Sequence, residues 1–472
     1  MKKENAPIVV DEEAKPLSSQ DGWLNRYSRL MARMVPDAIS TAVFMLVVLV
    51  IIALVLGTPV KATVDAWYRG LWMLLPFTMQ MTLILVLGCV LAASPIFRRA
   101  IMSLARKPRT ATQVIIYSVL LVAFVSYLNW GLALALGPLI AVHFASEAER
   151  KEIEIDFPFL LAVNGGAGSV WQYGLSASAP LLMATPGHFL ENTTGIMSLR
   201  STIWSPASIF LVVGFPIVVI IAGRLLMPRN MQPISHFPDA RKLIEPGKKP
   251  DSKASGEDKG ESKVNYSDRM ERTAITPVIL CAALVVWLYY HFWEKGASLD
   301  LNSLNTIFLL LCFLLHGTIR NFSQALQKAV VSSWPIIVLY HIYAGVAGLI
   351  QFTPVGEAFS NLFAPISTPW TFPLLAALAG TLVAIFVPSS GGQWVIQGLI
   401  TIKAAEAVGV TAQRGLLALS VGDQMGNLVS PFWFVVRAEI ARIDFRTFFG
   451  YGLIFALLWF VFGVIAFTFL PC

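Results

Sequence analysis

Apolar residues gather along this chain in blocks of roughly 18 to 30 positions, about the length a helix needs to cross the ~30 Å hydrocarbon core of a bilayer. Nine blocks read as simple crossings, at residues 38–56, 71–93, 157–184, 202–226, 274–293, 303–318, 332–352, 415–437 and 447–470. Two further segments, 113–147 and 373–407, are about 35 residues each and are interrupted near the middle. The interruptions are Asn129-Trp130-Gly131 and Pro388-Ser389-Ser390-Gly391-Gly392. Too long for one ordinary span and too short for two, each segment predicts a re-entrant helical hairpin whose tip is buried in protein or lines a cavity.

Composition agrees with a membrane solvent. Of 472 residues, 56% are hydrophobic and 13% charged, with a mean hydropathy of +0.67, which excludes an ordinary water-soluble domain. The formal charge of +7 is mostly a topology signal. With the N-terminus in the cytoplasm and the C-terminus in the periplasm, cytoplasmic loops hold Arg98, Arg99, Arg106, Lys107, Arg109, Arg150, Lys151, Arg320, Lys328, Arg437, Arg442 and Arg446. The outer loops carry only Lys61, Arg69, Arg200, Lys295, Lys403 and Arg414. Counting either hairpin as one full crossing places basic loops on the wrong side. Residues 1–36 contain no short apolar stretch with a cleavage site and read as a cytoplasmic tail, not a signal peptide. The Lys-, Asp- and Ser-rich segment 227–273 reads as a solvated cytoplasmic linker, and nucleic acid is not an expected partner. Cys89, Cys281 and Cys312 lie in apolar blocks without paired spacing and are expected to pack.

The chain resembles itself weakly at an offset of about 260 residues. Gly131 and Gly137 fall on Gly392 and Gly398, and Leu160-Leu161-Ala162 on Leu416-Leu417-Ala418. Residues 37–226 and 298–472 then each read span, span, hairpin, span, span, with a connecting helix at 274–297 between them. One connecting crossing starts the second half from the opposite membrane face, so the repeats are expected to be inverted. Inverted repeats with broken helices meeting near the midplane are a transporter architecture. The expected fold is therefore all-α and integral to the membrane, with about nine transmembrane helices and two re-entrant hairpins.

The polar residues inside spans mark candidate chemistry. Block 157–184 contains Trp171-Gln172-Tyr173-Gly174-Leu175-Ser176-Ala177-Ser178-Ala179-Pro180, and block 415–437 contains Gly422-Asp423-Gln424-Met425-Gly426-Asn427-Leu428-Val429-Ser430-Pro431. Hydroxyls, amides, Gly and Pro in an apolar span favour unwinding, and free peptide groups at a half-helix start can hold a carboxylate. Asp423 is costly in lipid and by default marks an ion or proton site. Its expected partners are Asn427 and Ser430, either as oxygen ligands for Na⁺ or, for H⁺, around a carboxyl that itself takes the proton. No Arg or Lys lies deep in any span, so a substrate carboxylate is expected on neutral donors: Ser389, Ser390, Gln393, Asn129 and backbone N–H groups. Trp130, Gly131, Ser176, Ser178, Gly391 and Gly392 complete the candidate set. Gly165-Gly166-Ala167-Gly168 fits a helix-packing face as well as a binding loop. No cofactor and no resident metal are expected beyond a possible coupling Na⁺ at Asp423 and Asn427.

The run Val387-Pro388-Ser389-Ser390-Gly391-Gly392-Gln393-Trp394-Val395-Ile396-Gln397-Gly398 resembles the signature of the short-chain fatty acid (AtoE-type) uptake transporters. Pro180-Leu181-Leu182-Met183-Ala184-Thr185-Pro186-Gly187, the Asn129 tip, Gly422-Asp423-Gln424 and Pro431-Phe432-Trp433 are similar to that family too. The resemblance covers residues 23–470 and implies uptake of acids such as acetoacetate or butyrate across a bacterial inner membrane. It also implies a homodimer with scaffold and transport regions. Ser390 stands where a third glycine is expected, Leu399 where proline is common, and Asp423 where glutamate also occurs. These departures bear on substrate size and coupling ion. Dicarboxylates are the alternative cargo. A membrane enzyme would need a nucleophile beside a base, and a channel would need a continuous charged or carbonyl-lined pore; neither pattern stands out.

Overall fold

The computed structural model describes residues 38–244, 271, 273, 275–363 and 366–472. The tail 1–36 and most of the linker 227–273 lie outside the described residues. Every regular element described is helical.

The first half runs α1 (Ala38–Val55), α2 (Val60–Met73), α3 (Leu75–Ala92), α4 (Pro95–Ala105), α5 (Ala111–Leu128), α6 (Trp130–Arg150), α7 (Phe157–Ala167), α8 (Ser178–Ala184) and α9 (Pro206–Leu225). After α10 (Ile275–Tyr289) come α11 (Leu301–His316), α12 (Ile319–Val330), α13 (Trp334–Phe352), α14 (Val355–Phe363), α15 (Phe372–Ala384), α16 (Ser390–Ala407), α17 (Ala412–Val429), α18 (Pro431–Ala441) and α19 (Arg446–Phe469). Among the described residues, six helical stretches are long and apolar enough to cross a membrane, including Val60–Ala92, Pro206–Leu225 and Arg446–Phe469. Only Pro277 and Cys281 of α10 are buried, so this helix presents an apolar surface nearly all round, as expected of one facing lipid.

The shorter helices α2, α4, α12 and α14 occupy stretches that hydropathy leaves between the blocks. Their apolar residues are interleaved with Lys61, Asp65 and Arg69 in α2 and with Arg98 and Arg99 in α4, so hydropathy along the chain does not mark them as separate blocks. Residues 38–225 and 301–469 show the same order of elements: apolar helix, short helix, apolar helix, short helix, helical pair, interrupted helix, apolar helix.

Asn129 ends α5 and starts α6. Its backbone is extended (φ −156°, ψ 124°), and its Oδ1 accepts from the Leu132 N–H at 2.8 Å, an N-cap that satisfies a free donor of the new helix. Its Nδ2 donates to the Ile84 carbonyl at 3.2 Å, halfway along α3. At the other end of the pair, Lys151 Nζ donates to the carbonyls of Arg106 and Pro108, which holds the entry and exit of the hairpin together. In the second pair Pro388 disfavours helix in the residue before it, and the Ser389 hydroxyl caps α16 by accepting from the Gly392 N–H at 3.3 Å. The two tips use the same device.

Block 157–184 breaks as its sequence implies: α7 gives way to a 3₁₀ turn at Gly168–Tyr173, and the chain leaves helix before α8. Block 415–437 does not unwind at Gly422. Helix α17 continues through Val429, and only Ser430, before Pro431, is extended (φ −76°, ψ 132°). The physical reason is packing: a Cβ on Gly422 would collide with the Ala377 carbonyl, so this glycine lets α15 lie directly on α17. Asp423 therefore sits on an intact helix.

Candidate transport site

A cavity of about 520 Å³ opens where the two halves meet. Trp130 at the start of α6, Trp171 in the 3₁₀ turn, Ser178 at the start of α8 and the second tip, Pro388 to Ser390, all reach it. Tyr340 and Tyr343 of α13, Gln424 and Asn427 of α17, and Trp433, Arg437 and Glu439 of α18 add polar and aromatic groups, as do Ser126 of α5 and Asn164 of α7. The remainder is largely apolar, with Leu85, Val122, Leu161 and Ile440 among the contributors.

Behind this wall lies a hydrogen-bonded network that ties elements far apart in sequence. The Gln172 side-chain N–H donates to Asp423 Oδ2, while its carbonyl oxygen accepts from the Ser390 hydroxyl at 3.1 Å. Asn427 Nδ2 donates to the same Asp423 oxygen at 3.3 Å, and Trp433 Nε1 donates to Asn427 Oδ1 at 3.1 Å. In parallel, Trp171 Nε1 donates to Gln424 Oε1 at 3.0 Å, and Gln424 Nε2 donates to Ser169 at 3.0 Å. Gln172 and Asp423 are 0% and 2% exposed, so every lost partner here carries a desolvation cost. One Asp423 oxygen, Oδ1, has no hydrogen-bond partner among the described residues.

The sequence-derived candidates divide into two groups. Trp130, Ser178, Ser389, Ser390 and Asn427 line the cavity. Asn129, Gly131, Ser176, Gly391, Gly392, Gln393, Asp423 and Ser430 stand behind it. Asn129 is fully buried and spends its side chain on the cap and on Ile84, and Gln393 Nε2 donates to Gly380 O and to Gln397. Ser176 accepts from the Trp130 N–H at 2.9 Å and so positions the first tip. Gly131 packs on α3 at Leu85, while Gly391 and Gly392 receive Tyr340 and Tyr343. Ser389 donates to the Tyr340 hydroxyl at 3.1 Å.

Gln172, Tyr340, Tyr343, Trp433 and Arg437 are not among the site residues expected from sequence. Gln172 carried a usable signal, an amide inside an apolar block; the tyrosines of α13 carried none. By sequence Arg437 counts among the cytoplasmic-loop charges, yet α18 extends to Ala441 and carries it into the cavity wall, so a cation is present there.

Among the described residues, membrane-length apolar helices packed around a buried polar network define a multi-pass membrane protein, and the family it belongs to makes it a transporter and not an enzyme. The profile of the family described as short chain fatty acid transporter matches residues 24–470, and the protein belongs to that family. A relative from Escherichia coli (strain K12), provisionally named a short-chain fatty acid transporter, is 31% identical over 94% of this chain and 100% of its own. One of the same provisional name from Haemophilus influenzae is 32% identical over 93% and 99%. Among solved structures, the Alcanivorax borkumensis YdaH transporter superposes with a TM-score of 0.54 at 16% identity, covering 92% of this chain and 98% of its own. Neisseria gonorrhoeae MtrF, described as illuminating a class of antimetabolite efflux pumps, gives 0.52 at 15% identity, covering 94% and 97%. These two likenesses concern the fold alone.

Proposed function

We propose that the protein is a secondary carrier of short-chain monocarboxylates such as acetoacetate or butyrate, working in the bacterial inner membrane with its N-terminus cytoplasmic and its C-terminus periplasmic. The observation that carries the reading is the Gln172–Asp423–Ser390 network at the cavity edge, which joins the broken span of the first half to the tip of the second hairpin. A carrier needs an ion site and a substrate site that respond to each other, and a shared hydrogen-bonded network supplies that coupling. The mostly apolar cavity with a few polar groups suits a short acyl chain ending in a carboxylate.

Both hairpins are re-entrant in this reading. Asn129 bonds to Ile84 midway along α3, and the second tip packs on Tyr340 and Tyr343, midway along α13, which supports a depth near the midplane for both. The halves act as inverted repeats, with α10 between them supplying the odd crossing. The family resemblance read from the sequence supports a homodimer.

Coupling runs through Asp423. Its Oδ1 is the free acceptor on which H⁺ or Na⁺ is taken, and a single carboxylate with mainly N–H neighbours suits a proton better than an all-oxygen cation cage. Counterflow in proteoliposomes with C2 to C6 acids, with and without Na⁺, tests the assignment. Exchange of monocarboxylates without Na⁺ supports a proton-linked carrier, and exchange of dicarboxylates alone replaces it with the alternative cargo.

A further inference from the structure

The cavity wall contains an arginine that the polar network does not use. Arg437 lies on α18, its Nη1 is buried without a hydrogen-bond partner, and among the described residues no carboxylate stands within ion-pair distance of it. The Phe434 ring, 5.7 Å from Cζ, supports the cation without neutralising it. Glu439, the acidic residue of the same wall, is exposed. A guanidinium remains charged at ordinary pH, so leaving one partly desolvated and unpaired is costly unless an anion arrives to pair with it.

Room for this guanidinium is built into α7. A Cβ on Gly165 would come within 2.9 Å of Arg437 Nη1, so Gly165 allows the group to lie directly against the helix. Gly166, one position on, receives the Phe455 ring instead. Two adjacent glycines of one motif thus serve different neighbours, the first a charge in the cavity wall and the second the bundle core.

We propose that Arg437 is the recognition residue for the substrate carboxylate, pairing with it inside the cavity while the apolar wall takes the acyl chain. The inference rests on the carrier reading and adds a selectivity rule. One wall cation neutralises one carboxylate, so a monoanion enters as a neutral pair, whereas a dianion of similar length carries an uncompensated charge into an apolar chamber. A neutral amide of the same shape leaves the guanidinium unpaired.

The test is ligand-induced thermal stabilisation of the purified full chain at constant ionic strength, with butyrate, butyramide and succinate as probes. Wild type is expected to be stabilised by butyrate, less by succinate and not by butyramide. Arg437→Gln, which removes an unpaired charge and should fold at least as well, is expected to weaken butyrate binding by about tenfold or more, and Arg437→Lys to retain part of it. Equal butyrate affinity in wild type and Arg437→Gln overturns the assignment while leaving the carrier reading intact. Equal stabilisation of wild type by butyrate and butyramide overturns it without recourse to any variant. A wild type that responds to none of the acids counts against both readings.

Discussion

Gln172 and Asp423, 251 positions apart in sequence, share a hydrogen bond in the buried centre of the molecule. Gln172 sits in the 3₁₀ turn that breaks the first-half span, and Asp423 sits on the continuous helix α17. Because Ser390 donates to the other end of the same amide, the second hairpin tip is linked through one side chain to the carboxylate. In the proposed mechanism this shared amide is the route by which a change at Asp423 reaches residues that line the cavity.

Gln172→Ala should uncouple the tip from the carboxylate. It leaves the buried Ser390 hydroxyl without its acceptor and Asp423 Oδ2 with Asn427 alone, at a cost of about 1–3 kcal/mol. The expected phenotype is a folded, less stable carrier with concentrative uptake reduced much more than exchange. Uptake and exchange reduced in equal proportion would place Gln172 outside the coupling route.

Asp423→Asn keeps the size of the side chain and removes its capacity to take up a cation. Accumulation driven by a gradient should be abolished while exchange of substrate across the membrane persists in part. Full concentrative uptake by this variant would make Asp423 a structural residue.

Asn129→Ala removes the cap of α6 and the bond to Ile84, and chemical or thermal unfolding should show a loss of about 1–2 kcal/mol. Since Asn129 stands behind the cavity wall, substrate affinity of the surviving folded fraction should be nearly unchanged. A large rise in the substrate concentration needed for half-maximal uptake, with normal stability, would return Asn129 to the binding site.

The topology has its own test. Cysteines introduced at Arg109 and Glu154, exposed positions flanking the first hairpin, should react with an impermeant reagent from the same side of the membrane. Labelling from opposite faces would require one crossing between them and would dismantle the hairpin.

Much of this architecture is legible in the chain because a bilayer demands it. The interruptions at Asn129 and at Pro388-Ser389 are visible as polar gaps in apolar runs, and helix ends fall at these residues for local reasons, a side-chain cap in both and a proline in one. What stayed hidden is long-range. Glycine in a span signals both unwinding and close packing, and only the Ala377 carbonyl against Gly422 decides for packing there. The same ambiguity misplaces Asp423 on unwound backbone. Neutral residues of α13 such as Tyr340 and Tyr343 carry no mark of function until the second tip packs on them. Arg437 is concealed by its position in sequence, because a charge at the end of an apolar block is read as a loop anchor until α18 is seen to continue past it.

The most direct test of the central claim is counterflow of labelled acetoacetate in proteoliposomes, corrected for protein-free vesicles because short acids also cross lipid unaided. Wild type preloaded with unlabelled butyrate should show a saturable, transient overshoot of label in Na⁺-free medium, and an imposed proton gradient should drive net accumulation that Asp423→Asn cannot perform. Label that enters no faster than in protein-free vesicles, or that never saturates, would contradict a short-chain monocarboxylate carrier.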